Sequence, residues 1–303
     1  MQNTEELKNK LLNSEGVKSL IIESTVFNNL KDLGWQTYHS PYFTDPTTRK
    51  LRELDVKARK YFKKDKYSCA LELLVECKNL NNYHIIANNK ASPKGNFDKI
   101  WLGNYIYSEY NKLDEILLKH NFTTEEVLHI KEKLNDYCFP DSYRWADYLM
   151  APFEIPTFNA YRETNVNTTK DIDNSVIWKC ILSLQSASNA HVELLQESIE
   201  YMITENMHQE LSRIKKLELL IKDLNIFCNH LSYMHQIIVV DAQLWEFTTN
   251  QELKHLKYFR LNIQHFFGGE SWVDIVNFKH LKEYLDKSKK YIEFHKKLNF
   301  KIH

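Results

Sequence analysis

Apolar positions along the chain alternate between two periods, and the switches mark its elements. Val17, Leu20, Ile21, Val26, Phe27, Leu30 and Leu33 recur at helical spacing, so residues 1–33 read as two helices, the second over Val17–Leu33. Trp35–Phe43 and Leu51–Arg59 read as a hairpin joined through the turn residues Asp45-Pro46-Thr47-Thr48. Cys69–Lys78 is a third strand. Residues 81–98 lose periodicity around Asn-Asn-Lys-Ala-Ser-Pro-Lys-Gly and read as loop. Helices follow near 105–119 and 123–137, the second starting at Thr123 or Thr124 with Glu126 in its first turn. Residues 138–170 read as irregular, with Pro140, Pro152 and Pro156. A long helix starts from Asp173 or Asn174 as N-cap and runs towards Met207. Another covers 208 to about 233. Ile237–Asp241, Tyr258–Gln264 and Trp272–Val276 read as strands, and Phe278 to about Lys297 as an amphipathic helix.

Strands near both ends favour one domain over 1–303. The late strands extend a sheet begun by the early ones, residues 81–172 form a largely helical insertion, and long helices occupy about 174–233. The fold class is α/β, a mixed central sheet flanked by helices.

Composition narrows the chemistry. Apolar residues make up 43% of the chain, enough for a folded core. Forty basic and forty acidic residues cancel, which argues against a nonspecific basic coat for nucleic acid. Six glycines in 303 residues leave no Walker sequence and no G-x-G-x-x-G. The five cysteines are widely spaced without a C-x-x-C pair, which fits a reducing cytoplasm. No apolar run approaches the length of a membrane span, and Met-Gln-Asn-Thr-Glu-Glu lacks a signal pattern. His191-Val-Glu193 has the H-x-E form of a deaminase, but no P-C-x-x-C follows it.

The candidate chemistry lies in residues 51–78. Glu76 and Lys78 are two apart on one strand and so share a face, and Leu73, Leu74, Val75 and Cys77 around them imply burial on both sides. A buried carboxylate needs a partner or a metal. Asp55, 21 residues upstream, sits in a similar apolar run, and neighbouring strands would bring it to the same patch. Glu23 falls within the apolar stripe of its helix, where a surface glutamate would face away. Two carboxylates and an ammonium suit a hard divalent cation beside a phosphodiester.

Glu23 on a helix, Gly34-Trp35 opening a strand, Arg52-Glu-Leu-Asp55-Val and Val75-Glu-Cys-Lys78 together resemble the PD-(D/E)XK, or restriction-endonuclease-like, nucleases. The likeness covers roughly residues 17–80, with Leu54 where the name-giving proline would stand. It implies a restriction-endonuclease-like core and a Mg²⁺-dependent endonuclease, with Mn²⁺ as a substitute. The substrate implied is nucleic acid, double-stranded DNA preferred. In this reading Asp55 and Glu76 are direct ligands, the Cys77 carbonyl is a third, and Glu23 holds a metal-bound water or a second ion. Lys78 orients the attacking water or stabilises charge on the phosphate. Many members of the superfamily serve antiviral defence in bacteria, which gives the expected setting. A non-catalytic module recruiting partners or a second copy through helices 174–233, and an RNA nuclease, are the alternatives. Gln185, Arg144, Trp145, Tyr161 and Arg162 are weaker accessory candidates, and the lysine-rich stretch 277–303 is a candidate phosphate track.

Overall fold

A computed structural model describes residues 4–64, 67–91, 106–135, 155–165, 175–228, 230–264 and 270–286. Helix α1 (Thr4–Leu12) leads into α2 (Glu15–Asp32), which Ser14 caps by accepting from the Val17 amide. Gly34 ends α2 in the left-handed region, at φ 75°. Its amide donates to the Lys31 carbonyl, and the Trp35 amide donates to Leu30. This double closure needs a residue at positive φ, which glycine adopts without a Cβ penalty. It turns the chain directly into the first strand.

Strands β1 (Gln36–His39), β2 (Tyr42–Thr44), β3 (Leu51–Glu53) and β4 (Val56–Lys64) make one bent hairpin. β1 pairs with β4, and β2 with β3, across a corner bridged by Ser40 N–H to Asp55 O and Leu54 N–H to Pro41 O. Ser40 takes φ 50° there. The turn at Asp45 forms as its sequence implies, with Asp45 Oδ1 accepting from the Thr47 and Thr48 amides.

β5 (Tyr67–Lys78) continues antiparallel to β4. The remaining strands are β6 (Tyr83–Lys90), β7 (Thr157–Asn165), β8 (His230–Val240), β9 (Gln243–Phe247), β10 (Leu253–Leu256), β11 (Tyr258–Gln264) and β12 (Glu270–Asn277). Among the described residues they form one mixed sheet in the order β1-β4-β5-β8-β12-β11-β7-β6-β9-β10. β8 lies parallel to both β5 and β12.

Two apolar layers sandwich this sheet. On one face Ile22, Val26 and Leu30 of α2, with Leu281, Tyr284 and Leu285 of the C-terminal helical turn, pack on Val56, Val75, Cys77 and Val239. On the other, α5 (Val176–His208) lays Ile177, Cys180, Ile181 and Leu184 over Leu74, Ile238, Phe259 and Ile275. A third cluster lies beyond the sheet. The far half of α5 (Ile199, Ile203) packs there with α3 (Ile106–Lys119), α4 (Thr124–Asn135) and α6 (Arg213–Cys228). No helix among the described residues is long and apolar enough to cross a membrane.

Several expectations need correction. Residues 83–90, expected as loop, are β6. Their run Asn88-Asn89-Lys90 is poor in strand formers, but Ile85 and Ala87 alternate into the core. Residues 157–165, within the stretch expected to be irregular, are β7. The flanks of the 81–172 segment therefore belong to the sheet, and α3 and α4 leave it for the bundle. β9 and β10 were not anticipated. β8 begins at His230, seven residues before the expected strand. The cap of α5 is Ser175, which accepts from the Trp178 amide, not Asp173 or Asn174. Those two residues, Arg144, Trp145 and the lysines of 287–303 lie outside the described residues.

Candidate active site at the sheet corner

The corner between β3 and β4 explains why Asp55 reaches β5. Leu54 packs in the α5-side core and Val56 in the α2-side core, so the chain rotates between them. Pairing of β4 with β5 starts at Val56↔Val75, and the next rung, which would serve Cys77, has no backbone acceptor. The Asp55 side chain fills it: Oδ2 accepts the Cys77 amide at 2.6 Å. A buried amide needs such a partner. An extended residue sends its N–H and C=O to the same edge, so the Cys77 carbonyl faces the same gap.

Lys78 closes the cluster. Its Nζ lies 2.9 Å from Asp55 Oδ2 and 2.8 Å from Glu76 Oε2. Ser183 of α5 donates to Glu76 Oε1 at 2.8 Å. Glu76 is buried, with Lys78 and Asp55 only partly exposed. Burial raises the Glu76 pKa, with Lys78 opposing and Asp55 adding to the rise. Burial works against the Lys78 charge, but Glu76 and then Asp55 overcome it and hold the ammonium above the ordinary lysine range. Burial pushes the Cys180 thiol up to about 12 and the Cys77 thiol well above its usual range, so neither is a thiolate at neutral pH.

Glu23 approaches from the other face. It sits 3.7 Å from His39 Nε2, with Phe27 edge-on to the His39 ring. Burial raises its pKa, and the next contribution is repulsion from Asp55, with Lys78 attracting. Glu23 thus shares the electrostatic environment of Asp55 and Lys78 without touching them. Among the described residues, no three His, Cys, Asp or Glu side chains converge closely enough to hold a metal ion as they stand.

The expected residues therefore divide. Asp55, Glu76, Lys78 and the Cys77 amide are joined by hydrogen bonds, and Glu23 lies within electrostatic reach of Asp55 and Lys78. The donor set suits a magnesium ion held by two carboxylates and a carbonyl with water completing its shell. Three carboxylates also face a single ammonium, an excess of negative charge that a divalent cation would offset.

Ser183 was missed by sequence reasoning. It flanks the stripe Ile177, Cys180, Ile181, Leu184, and a small hydroxyl beside such a stripe is the available signal. Gln185 is not among the hydrogen-bond partners of Glu76; its Nε2 is buried without a partner among the described residues. Tyr161 bonds Ser175 through its hydroxyl at 2.9 Å, at the start of α5. His191 and Glu193 do not form a unit: His191 faces Glu72 at 4.0 Å, and Glu193 pairs with Arg49. No protein-family model, curated protein or solved structure matches the chain, so the functional reading rests on its own residues.

Proposed function

We propose that the protein is a metal-dependent nuclease of the restriction-endonuclease-like type, hydrolysing phosphodiester bonds in nucleic acid, DNA preferred, at the Asp55–Glu76–Lys78 corner. The observation that carries this reading is the convergence of Asp55 Oδ2, Glu76 Oε2 and Lys78 Nζ within hydrogen-bonding distance at the end of β5. The order that the resemblance requires supports it: an acid on α2, an acid opening β4, and E-x-K closing β5.

Asp55 and Glu76 would hold the ion, with the Cys77 carbonyl as third ligand and Glu23 beyond. When bound, magnesium polarises the phosphate and lowers the pKa of the attacking water. Asp55 is fixed for its role by the Cys77 amide, and Glu76 by Ser183. Glu76 and Asp55 favour the ammonium form of Lys78. Lys78 orients the water as a donor and stabilises negative charge on the phosphate.

A second reading, a non-catalytic interaction module, is favoured by one fact: Lys78 bridges both carboxylates, as it would in an ion pair that serves structure alone. Incubating purified protein with plasmid DNA and with RNA, in Mg²⁺ and in EDTA, separates the two. The nuclease reading expects cleavage that EDTA abolishes, and the relative rates on the two substrates test the DNA preference. No cleavage of either under Mg²⁺ or Mn²⁺ favours the module.

A further inference from the structure

The two carboxylates of the corner are each held by a neutral donor and share a charged one. Asp55 Oδ2 accepts the Cys77 amide at 2.6 Å, and Glu76 Oε1 accepts the Ser183 hydroxyl at 2.8 Å. The first donor belongs to the backbone of β5, the second to α5. The shared donor is Lys78, whose Nζ lies 2.9 Å from Asp55 Oδ2 and 2.8 Å from Glu76 Oε2.

Lys78 is the movable member of this set. Its main chain is tied down: β5 pairs with β8 as far as Lys78↔Val240, and the Lys78 carbonyl accepts the Asp241 amide at 3.2 Å. Its side chain is 32% exposed, against 18% for Asp55 and 6% for Glu76, and its ammonium ends a flexible four-carbon stem. Nζ can leave the carboxylates without any change in the sheet, and Cys77 and Ser183 keep both in place when it does. One ammonium balances only one of the two negative charges it touches, and Glu23 adds a third within electrostatic reach. A divalent cation in the same place balances two.

We propose that Lys78 yields its place between Asp55 and Glu76 to a divalent cation, and that the displaced ammonium turns outward to meet a substrate phosphate. The proposal rests on the nuclease reading and adds an order to it, because Lys78 reaches the phosphate only after giving up its carboxylate partners. A purely structural ion pair has no such exchange, and its loss would free the carboxylates that a cation needs in fixed positions.

The exchange has a measurable consequence. A site whose competent form requires Lys78 to move binds more weakly by the fraction of molecules in that form, and removing the competitor lifts the penalty. Binding of Mn²⁺ alone, without nucleic acid, is followed by electron paramagnetic resonance of the free ion, at mildly alkaline pH to keep the carboxyls ionised. Lys78→Met should bind Mn²⁺ about tenfold more tightly than wild type. Lys78→Arg, which keeps the charge, should bind no more tightly than wild type, and adding Glu76→Gln to Lys78→Met should abolish the gain. Circular dichroism checks each fold, and Lys78→Gln replaces Lys78→Met if the latter does not fold. Affinity in the uncharged variant equal to or below wild type, or a gain that survives Glu76→Gln, overturns the proposal. Because binding is read without cleavage, the two readings separate. A wild type that cleaves in Mg²⁺, with no gain in Lys78→Met, overturns the exchange and leaves the nuclease standing. A gain in Lys78→Met, with a wild type that cleaves neither DNA nor RNA, does the reverse.

Discussion

Lys78 is shared between two carboxylates, and the consequences differ for each. Asp55 also accepts the Cys77 amide, so Asp55→Ala removes an acceptor from a buried donor as well as a candidate ligand. Relief of like-charge repulsion alone would predict a gain in apo stability, but the orphaned amide reverses the sign. Asp55→Ala should lose about 1–3 kcal/mol by urea denaturation, whereas Asp55→Asn, which keeps an acceptor, should stay close to wild type. Both should lose cleavage.

For Glu76 the sign follows from its raised pKa. A carboxyl whose folded pKa lies above its unfolded value contributes stability that is fully present below the unfolded pKa, near 4.5, and lost as pH rises through the folded one. Lys78 opposes that rise, so Lys78→Met should raise the Glu76 pKa further. Its stability deficit relative to wild type should grow as pH rises from 4 towards neutrality, measured by thermal melts across that range. A deficit independent of pH would remove the coupling between Lys78 and Glu76.

At the scale of elements, α5 is the part that positions Ser183, and its start is held by one buried acid. Glu163 of β7 accepts the Val176 and Ile177 amides at 3.1 Å each and the Ser175 hydroxyl. Three donors at a helix N-terminus suit a carboxylate. Glu163→Ala should cost about 1–3 kcal/mol and reduce cleavage through misplacement of Ser183; Glu163→Gln should recover part of both losses. Equal stability in Glu163→Ala and wild type would contradict the anchoring role.

This contact was illegible in the sequence, because Glu163 sits in a stretch without clear alternation. The strong patterns were legible. Glu76 and Lys78 share a face because strand period alone puts them there. The helix carrying Glu23, the hairpin, β5, β11 and β12 follow from apolar spacing, and the capping exchange between Thr123 and Glu126 follows from a local motif. What failed was long-range or polar. β6 and β9 hide their alternation behind Asn88, Asn89 and a buried Glu246. The meeting of Ser183 with Glu76 spans 107 residues of chain, and no periodicity encodes it. The pairing of Glu23 with His39 depends on which sheet face α2 covers.

At the scale of the molecule, α5 joins two cores, the sheet sandwich that holds the corner and the helical bundle of α3, α4 and α6. Leu224 is 1% exposed within that bundle, and Leu224→Ala should cost about 2–5 kcal/mol. Hydrogen exchange should show lost protection in α3, α4 and α6 first, with β5 and β8 still protected; simultaneous loss throughout would mean that the two cores unfold as one. The central claim concerns the corner. Its most direct test is cleavage of DNA by wild type and Glu76→Gln across one Mg²⁺ titration, with circular dichroism of both. Cleavage that rises with Mg²⁺ in wild type and is absent in a folded Glu76→Gln protein is the predicted result. Equal cleavage by the two proteins, or cleavage by wild type that persists in EDTA, would contradict it.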